Sequence, residues 1–233
     1  MSMTRKRFDH INQRIAEAMQ NSQRSADSPV TLLAVSKRHS WDKIQALYEL
    51  GQREFGESYV QEALEKMKQS PHKDIIWHFI GPIQSNKTKD IAPNFHWVHS
   101  VDRLKIARRL SAQRTTHETL SKPLNICLQI NISQEPQKSG FSTDEIFTAI
   151  AEIMTLPHLK LRGLMAIPKP SKAPAEQKLA FKQLRELMQQ LNQRFNLQMD
   201  TLSMGMSGDL EAAIAEGASI IRIGTALFGP REY

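Results

Sequence analysis

The sequence predicts a single (β/α)8 barrel of the TIM type preceded by one extra helix. Three observations carry this: eight short β-rich runs, a helical pattern in every gap between them, and a length of 233 residues. Such barrels commonly run to ~250 residues. Strands separated by helices argue for parallel pairing through crossovers. An open doubly wound sheet has the same local signature, and the strand count and length favour the closed form. No linker rich in Pro, Gly or Ser divides the chain, and the Pro168–Pro174 stretch reads as a loop. Residues 1–233 are therefore read as one domain.

The first helix covers about residues 4–22, with Phe8, Ile11, Ile15 and Met19 spaced three to four apart on one face. Predicted strands follow at Thr31–Lys37, Glu54–Glu57, Ile75–Gly81, His96–Val101, Leu124–Ile132, Leu159–Ile167, Thr201–Met204 and Ser219–Gly224. Helices fill the gaps at 41–50, 58–69, 84–91, 103–114, 142–155, 174–195 and 209–217. Ser142 with Glu145 three residues later makes a capping box. The longest helix sets Ala180, Leu184, Leu187, Met188, Leu191 and Phe195 on one stripe.

Composition excludes several classes. Charged residues at 24% and apolar residues at 40% describe a globular chain. Cys127 is the lone cysteine, so no internal disulfide forms, and a reducing compartment is compatible. No apolar run reaches the ~18 residues of a membrane span. The start, MSMTRKRFDHINQR, lacks the apolar segment of a secretory signal, which points to the cytoplasm. Lys+Arg exceed Asp+Glu by 31 − 24 = 7, which raises nucleic acid as a partner. The cations are mixed with acids along the chain, however. The densest stretch, Arg103–Arg114, reads as an amphipathic helix with Leu104, Ala107 and Leu110 inward and a solvated basic face. Nucleic acid is not the expected partner.

Alternation along the strands sorts inside from outside. In 124–132, Ile126, Leu128, Ile130 and Ile132 suit the helix layer, leaving Asn125, Cys127, Gln129 and Asn131 for the barrel interior. Trp77 and Phe79 face outward, placing His78 inside. Arg222, embedded in Ile-Ile-Arg-Ile, points in and needs an acceptor there, because an unpaired buried charge is too costly. His96 and His99, three apart in an extended run, make a poor metal pair. Cys127 reads as a buried, inert thiol.

Active sites of this architecture gather at the C-terminal ends of strands. The first strand leads to Lys37, the seventh into Met204-Gly205-Met206-Ser207-Gly208-Asp209, and the eighth to Gly224-Thr225. Barrels often bind phosphate between the loops after strands seven and eight, where small residues let backbone N–H groups approach an anion. A plain N-cap at Ser207 and tight turns at Gly205 and Gly208 are the simpler readings of each residue alone. A lysine facing a phosphate site suggests either a sugar-phosphate Schiff base or pyridoxal phosphate. Arg222, two residues before Gly224, tilts the choice to the latter, since it can reach the ring of a cofactor whose phosphate lies at Gly224-Thr225.

At these residues the chain resembles the pyridoxal 5'-phosphate homeostasis protein family, a single-domain relative of the alanine racemase N-terminal barrel. The resemblance runs from about residue 31 to the C-terminus. It rests on Ala34-Val35-Ser36-Lys37, Phe55-Gly56-Glu57 with Tyr59-Val60-Gln61-Glu62, Trp77-His78-Phe79-Ile80-Gly81, and Gln84-Ser85-Asn86-Lys87. It continues through Gln129-Ile130-Asn131-Ile132, Lys138-Ser139-Gly140, Gly163–Pro168, Leu202–Ser207 and Arg222–Gly229. It implies that Lys37 forms the internal aldimine, that Ser207, Gly224 and Thr225 hold the phosphate, and that Arg222 faces the pyridine nitrogen. Ser58 stands where the family commonly reads Asn, within Phe-Gly-Glu-Asn-Tyr.

Two functions fit such a chain. One is a non-catalytic, monomeric carrier that buffers pyridoxal phosphate or delivers it to apo-enzymes. The other is an amino-acid racemase or decarboxylase built on the same barrel. Racemases of that type resemble this barrel plus a β domain that brings a catalytic tyrosine, whereas here Tyr48 and Tyr59 fall on predicted helices and Tyr233 is the last residue. Without a second acid/base or lid, carbanion chemistry would be slow and open to water. The carrier is the expected function.

Overall fold

In the structure, a computed structural model describing residues 2–25, 28–114 and 122–230, parallel pairing passes from each strand to the next and returns from the last to the first. The strands are β1 (Thr31–Val35), β2 (Glu54–Glu57), β3 (Ile76–Phe79), β4 (Trp97–Val101), β5 (Leu124–Gln129), β6 (Leu159–Met165), β7 (Thr201–Ser203) and β8 (Ile220–Ile223). Closure comes from β1 pairing with β8, with Leu33 opposite Arg222 and Ala34 opposite Ile223. The expected barrel is thus present. Helices α1 (Met3–Asn21), α2 (Trp41–Glu49), α3 (Val60–Gln69), α4 (Thr88–Ile91), α5 (Leu104–Gln113), α6 (Thr143–Ile153), α7 (Pro174–Phe195), α8 (Leu210–Ala215) and α9 (Thr225–Phe228) surround it.

The main hydrophobic core lies between strands and helices. Leu32, Ala34, Phe55, Trp77, Phe79, Ile126, Leu128, Leu164, Leu202, Ile221 and Ile223 all belong to it. Their alternates enter the barrel. There Leu33, Val35, Cys127, Met165 and Ile220 are buried apart from that core, together with His78, His99, Ser203 and Arg222. The inner column is therefore partly polar. Two glycines let neighbouring backbone segments approach closely. A Cβ on Gly163 would lie 1.7 Å from the Thr201 carbonyl oxygen, and one on Gly81 would lie 2.2 Å from that of Ser58.

The structure departs from the sequence expectations mainly at element ends. β5 stops at Gln129, and Ile130 makes one isolated bridge to Phe141. Asn131 consequently does not point into the barrel. Its side chain ties the following loop, donating to the Glu135 carbonyl at 2.8 Å and accepting from its N–H at 3.1 Å. The helix expected at 84–91 divides into a 3-10 turn (Ser85–Lys87) and α4. Tyr59 precedes α3 rather than lying on it, while Tyr233 lies outside the described residues. The buried stripe of α7 centres on Phe181, Leu184, Leu187 and Leu191, with Ala180, Met188 and Phe195 only half-buried. On α5, Ile106, Ala107 and Leu110 are buried and Leu104 is peripheral. Arg114 is not part of a solvated face. It is 3% exposed and donates to the carbonyls of Phe95 at 2.8 Å and Lys122 at 3.0 Å, which is how its charge tolerates burial.

Gly163→Ala should destabilise the barrel by about 3 kcal/mol, because backbone rather than a flexible side chain must yield. Gly208→Ala, with open space around it, should change stability by no more than about 0.5 kcal/mol. Urea unfolding of the two variants checks the contrast.

Candidate functional site

The β1–β8 register builds one mouth of the barrel from distant parts of the chain. With Ala34 opposite Ile223, Val35 lies beside Gly224, where an added Cβ would sit 3.5 Å from the Val35 carbonyl oxygen. Lys37 follows two residues later, in the turn after β1, and it is half-buried. The loop after β7 reaches the same mouth: the Arg222 N–H donates to the Gly205 carbonyl at 3.0 Å. Gly205 is required there. Its φ is +93°, and a Cβ would meet that of Ala213 at 2.6 Å. Ser207 is half-buried and is not the N-cap of α8. That position belongs to Asp209, whose Oδ1 accepts the Met206 N–H at 2.6 Å. The Ser207 carbonyl accepts from Arg14 Nη2 of α1 at 3.1 Å. The segments carrying Lys37, Ser207, Arg222, Gly224 and Thr225 thus meet at one end of the barrel.

Arg222 has the acceptors its burial demands. Nη1 donates to the Ser203 carbonyl at 2.6 Å and to Ser203 Oγ at 2.9 Å, and Nη2 donates to the Ala166 carbonyl at 3.0 Å. Burial lowers its pKa to about 10, so the guanidinium stays charged at neutral pH. Beneath it, His78 and His99 join nitrogen to nitrogen at 2.8 Å. Burial holds His99 well below the ordinary imidazole range. His96 faces elsewhere, accepting the Trp77 N–H at 3.0 Å, and burial lowers it to about 4. No metal-binding cluster occurs among the described residues. Burial pushes the Cys127 thiol up to about 12, which leaves it inert.

A second cluster braces the turn that carries Lys37. Ser36 Oγ donates to Glu57 Oε1 at 2.5 Å. Lys66 Nζ of α3 donates to the Ser36 carbonyl at 2.8 Å, to Glu57 at 2.8 Å and to Glu62 at 2.6 Å. Glu62 also accepts the N–H of Arg38, which has a φ of +60°. The residues on both sides of Lys37 are therefore held, Ser36 by the buried Lys66 and Glu57 and Arg38 by the half-buried Glu62. Burial pushes the Glu57 carboxyl up, against the pull of Lys66 and Ser36. Sequence reasoning did not find this brace. Glu62 and Lys66 at i, i+4 were its one visible signal. The Ser85–Lys87 turn does not join the mouth by any of its described bonds. The Ser85 carbonyl instead accepts from Arg109 at 2.7 Å and Thr88 at 2.8 Å.

The family described as "Alanine racemase, N-terminal domain" matches residues 11–232. A protein of Pseudomonas aeruginosa named pyridoxal phosphate homeostasis protein is 51% identical over all of this chain and 98% of its own length. The chain belongs to the pyridoxal phosphate homeostasis protein family. Its Escherichia coli K12 member is 44% identical over 96% of this chain and 94% of its own. Another relative, PipY of Synechococcus elongatus PCC7942, has a structure described with PLP bound. It is 37% identical, with a TM-score of 0.78 over 92% of this chain and all of that one. Alanine racemase of Clostridium difficile 630 shares the fold at 14% identity and a TM-score of 0.72. This chain spans 55% of that racemase.

His96 and His99 both have folded pKa values below their ordinary 6.5. As pH falls through 6.5 the unfolded chain takes up protons that the folded protein refuses, so stability is full above that pH and declines below it. The two groups together should contribute a slope of up to about 2.7 kcal/mol per pH unit. Urea unfolding between pH 7.5 and 5 measures it, and a flat profile would contradict the neutral buried imidazoles.

Proposed function

We propose that this chain, as a single binding barrel over residues 1–233, is a non-catalytic carrier that buffers pyridoxal 5'-phosphate and delivers it to apo-enzymes. The observation that carries this reading is the meeting at one mouth of a lysine in the turn after β1, a buried guanidinium on β8, and the small-residue loops after β7 and β8. The donor set fits the cofactor's three polar features. When bound, pyridoxal phosphate supplies an aldehyde that a primary amine attacks and an aromatic ring that withdraws electrons. Lys37 presents the amine. The Ser207 and Thr225 hydroxyls and the backbone at Gly224 bind phosphate. Arg222 faces the ring nitrogen as a donor that keeps its own proton near neutral pH, which restrains the electron withdrawal that amino-acid chemistry needs. The names of the relatives and the PLP-bound PipY structure support the same ligand.

The carrier acts as a monomer in the cytoplasm. The lone buried thiol of Cys127 agrees with a reducing compartment. Among the described residues no helix is long and apolar enough to cross a membrane. A racemase-like enzyme is the second reading, favoured by the fold shared with alanine racemase.

The purified protein should be yellow after incubation with pyridoxal phosphate, and borohydride should fix the cofactor to Lys37. Mass spectrometry locates the label, and a label on another lysine overturns the assignment. Ser207→Ala and Thr225→Ala should each weaken binding about tenfold, as expected for one lost hydrogen bond to an anion. Arg222→Gln should move the visible absorption band. A screen of L-amino acids for racemisation should find no turnover by the wild type.

A further inference from the structure

The hydrogen bonds of Arg222 do not end at Ser203. Ser203 Oγ on β7 also meets His99 Nδ1 on β4 at 2.7 Å. His99 Nε2 meets His78 Nδ1 on β3 at 2.8 Å, and His78 Nε2 meets Glu54 Oε2 on β2 in a short contact. Side chains from β2, β3, β4, β7 and β8 are thereby strung along one line through the barrel. Its two ends lie in different settings. Arg222 is buried below the cofactor mouth, whereas Glu54 is the first residue of β2, at the opposite mouth, with its side chain 26% exposed. Trp97 stacks on the His78 ring at 5.6 Å with the planes 6° apart, fixing the ring's orientation.

We propose that Glu54, His78, His99 and Ser203 form a directional hydrogen-bond relay that orders Arg222 and so sets the polarity felt by the ring nitrogen of bound pyridoxal phosphate. The four are positioning residues, and the proposal rests on the carrier reading above. Direction follows from the ends: a guanidinium only donates and a carboxylate only accepts. With the His99 imidazole neutral, Glu54 accepts from His78 Nε2, His78 Nδ1 accepts from His99 Nε2, and His99 Nδ1 accepts a hydrogen bond from the Ser203 hydroxyl. The lone pairs of Ser203 Oγ are then left to Arg222 Nη1, at 2.9 Å. Every link donates away from the cofactor mouth. Burial, which keeps His99 neutral, supports this order. Such chains polarise their members cooperatively, so the carboxylate at one mouth is felt at the other.

Nitrogen-15 NMR of the cofactor-free protein reads the direction. The wild type should carry the His99 proton on Nε2, and Glu54→Gln, whose amide both donates and accepts, should give a mixture of tautomers. A His99 proton on Nδ1 in the wild type overturns the relay as drawn. A double-mutant cycle in the cofactor-loaded protein reads the coupling. Glu54→Gln should weaken pyridoxal phosphate binding by about three- to tenfold and move the visible band. The effect should disappear once Ser203→Ala has cut the chain. Additive effects, or an unmoved band in Glu54→Gln, overturn the proposal. Borohydride fixation separates the two levels. Cofactor fixed on Lys37 together with additive effects rejects the relay alone, while failure to fix it on wild-type Lys37 rejects the carrier reading and the relay with it.

Discussion

Arg222 lies on β8 between Ile221 and Ile223, whose side chains face the helices while its own enters the barrel. Removing an unpaired guanidinium from water costs several kcal/mol, so everything near it must accept hydrogen bonds. Two of those acceptors are carbonyls at the C-terminal ends of β6 and β7, Ala166 and Ser203. The Ser203 carbonyl also accepts the Ala166 N–H at 3.3 Å, so it serves the β6–β7 ladder and the guanidinium together. The same need explains why the inner column carries Ser203, His99 and His78 where a fully apolar column would pack as well. The large hydrophobic contribution is left to the outer layer, between strands and helices.

Much of this was legible in the sequence, for identifiable reasons. The sheet alternation of Asn125–Gln129 and the Ile-Ile-Arg-Ile pattern reflect local geometry, so a period of two reveals which side chains turn inward. The need of Arg222 for an acceptor followed from burial alone, and the small-residue loops after β7 and β8 announced themselves by composition. The identity of the acceptor was not legible. Ser203 meets His99 and Arg222 only through the registers of β4, β7 and β8, and no local pattern encodes a contact across a barrel. The Glu57–Lys66–Glu62 brace was hidden for the same reason, apart from one helical charge pair. Arg114 was misread because an arginine at a helix end reads as solvated until the neighbouring carbonyls of Ala92 and Phe95 are seen to need a donor. Element ends shifted where side chains such as Asn131 took over backbone bonding.

The barrel shared with alanine racemase at 14% identity shows how little sequence the architecture itself prescribes. At the mouth of this barrel the side chains are held by specific contacts. Here Lys37 stands on a turn braced from α3, with flanking groups tied to Lys66 and Glu62, and the loop carrying Ser207 is steadied by Arg14 from α1. Both devices are rigid ones. They suit a site that must present its groups in one arrangement.

The pairing of β1 with β8 also orders events in time. During synthesis β1 emerges early, and one of its edges waits for a partner encoded near the other end of the chain. At ribosomal rates of about 5–20 residues per second, that wait is on the order of 10–40 s. An exposed strand edge of this kind is a template for wrong pairing, which makes the nascent chain a natural client for chaperones. α1 waits as well, since it packs on α8 and α9. The mouth at which Lys37, Ser207 and Arg222 meet is therefore the last part of the molecule to exist, and an unfinished chain lacks it.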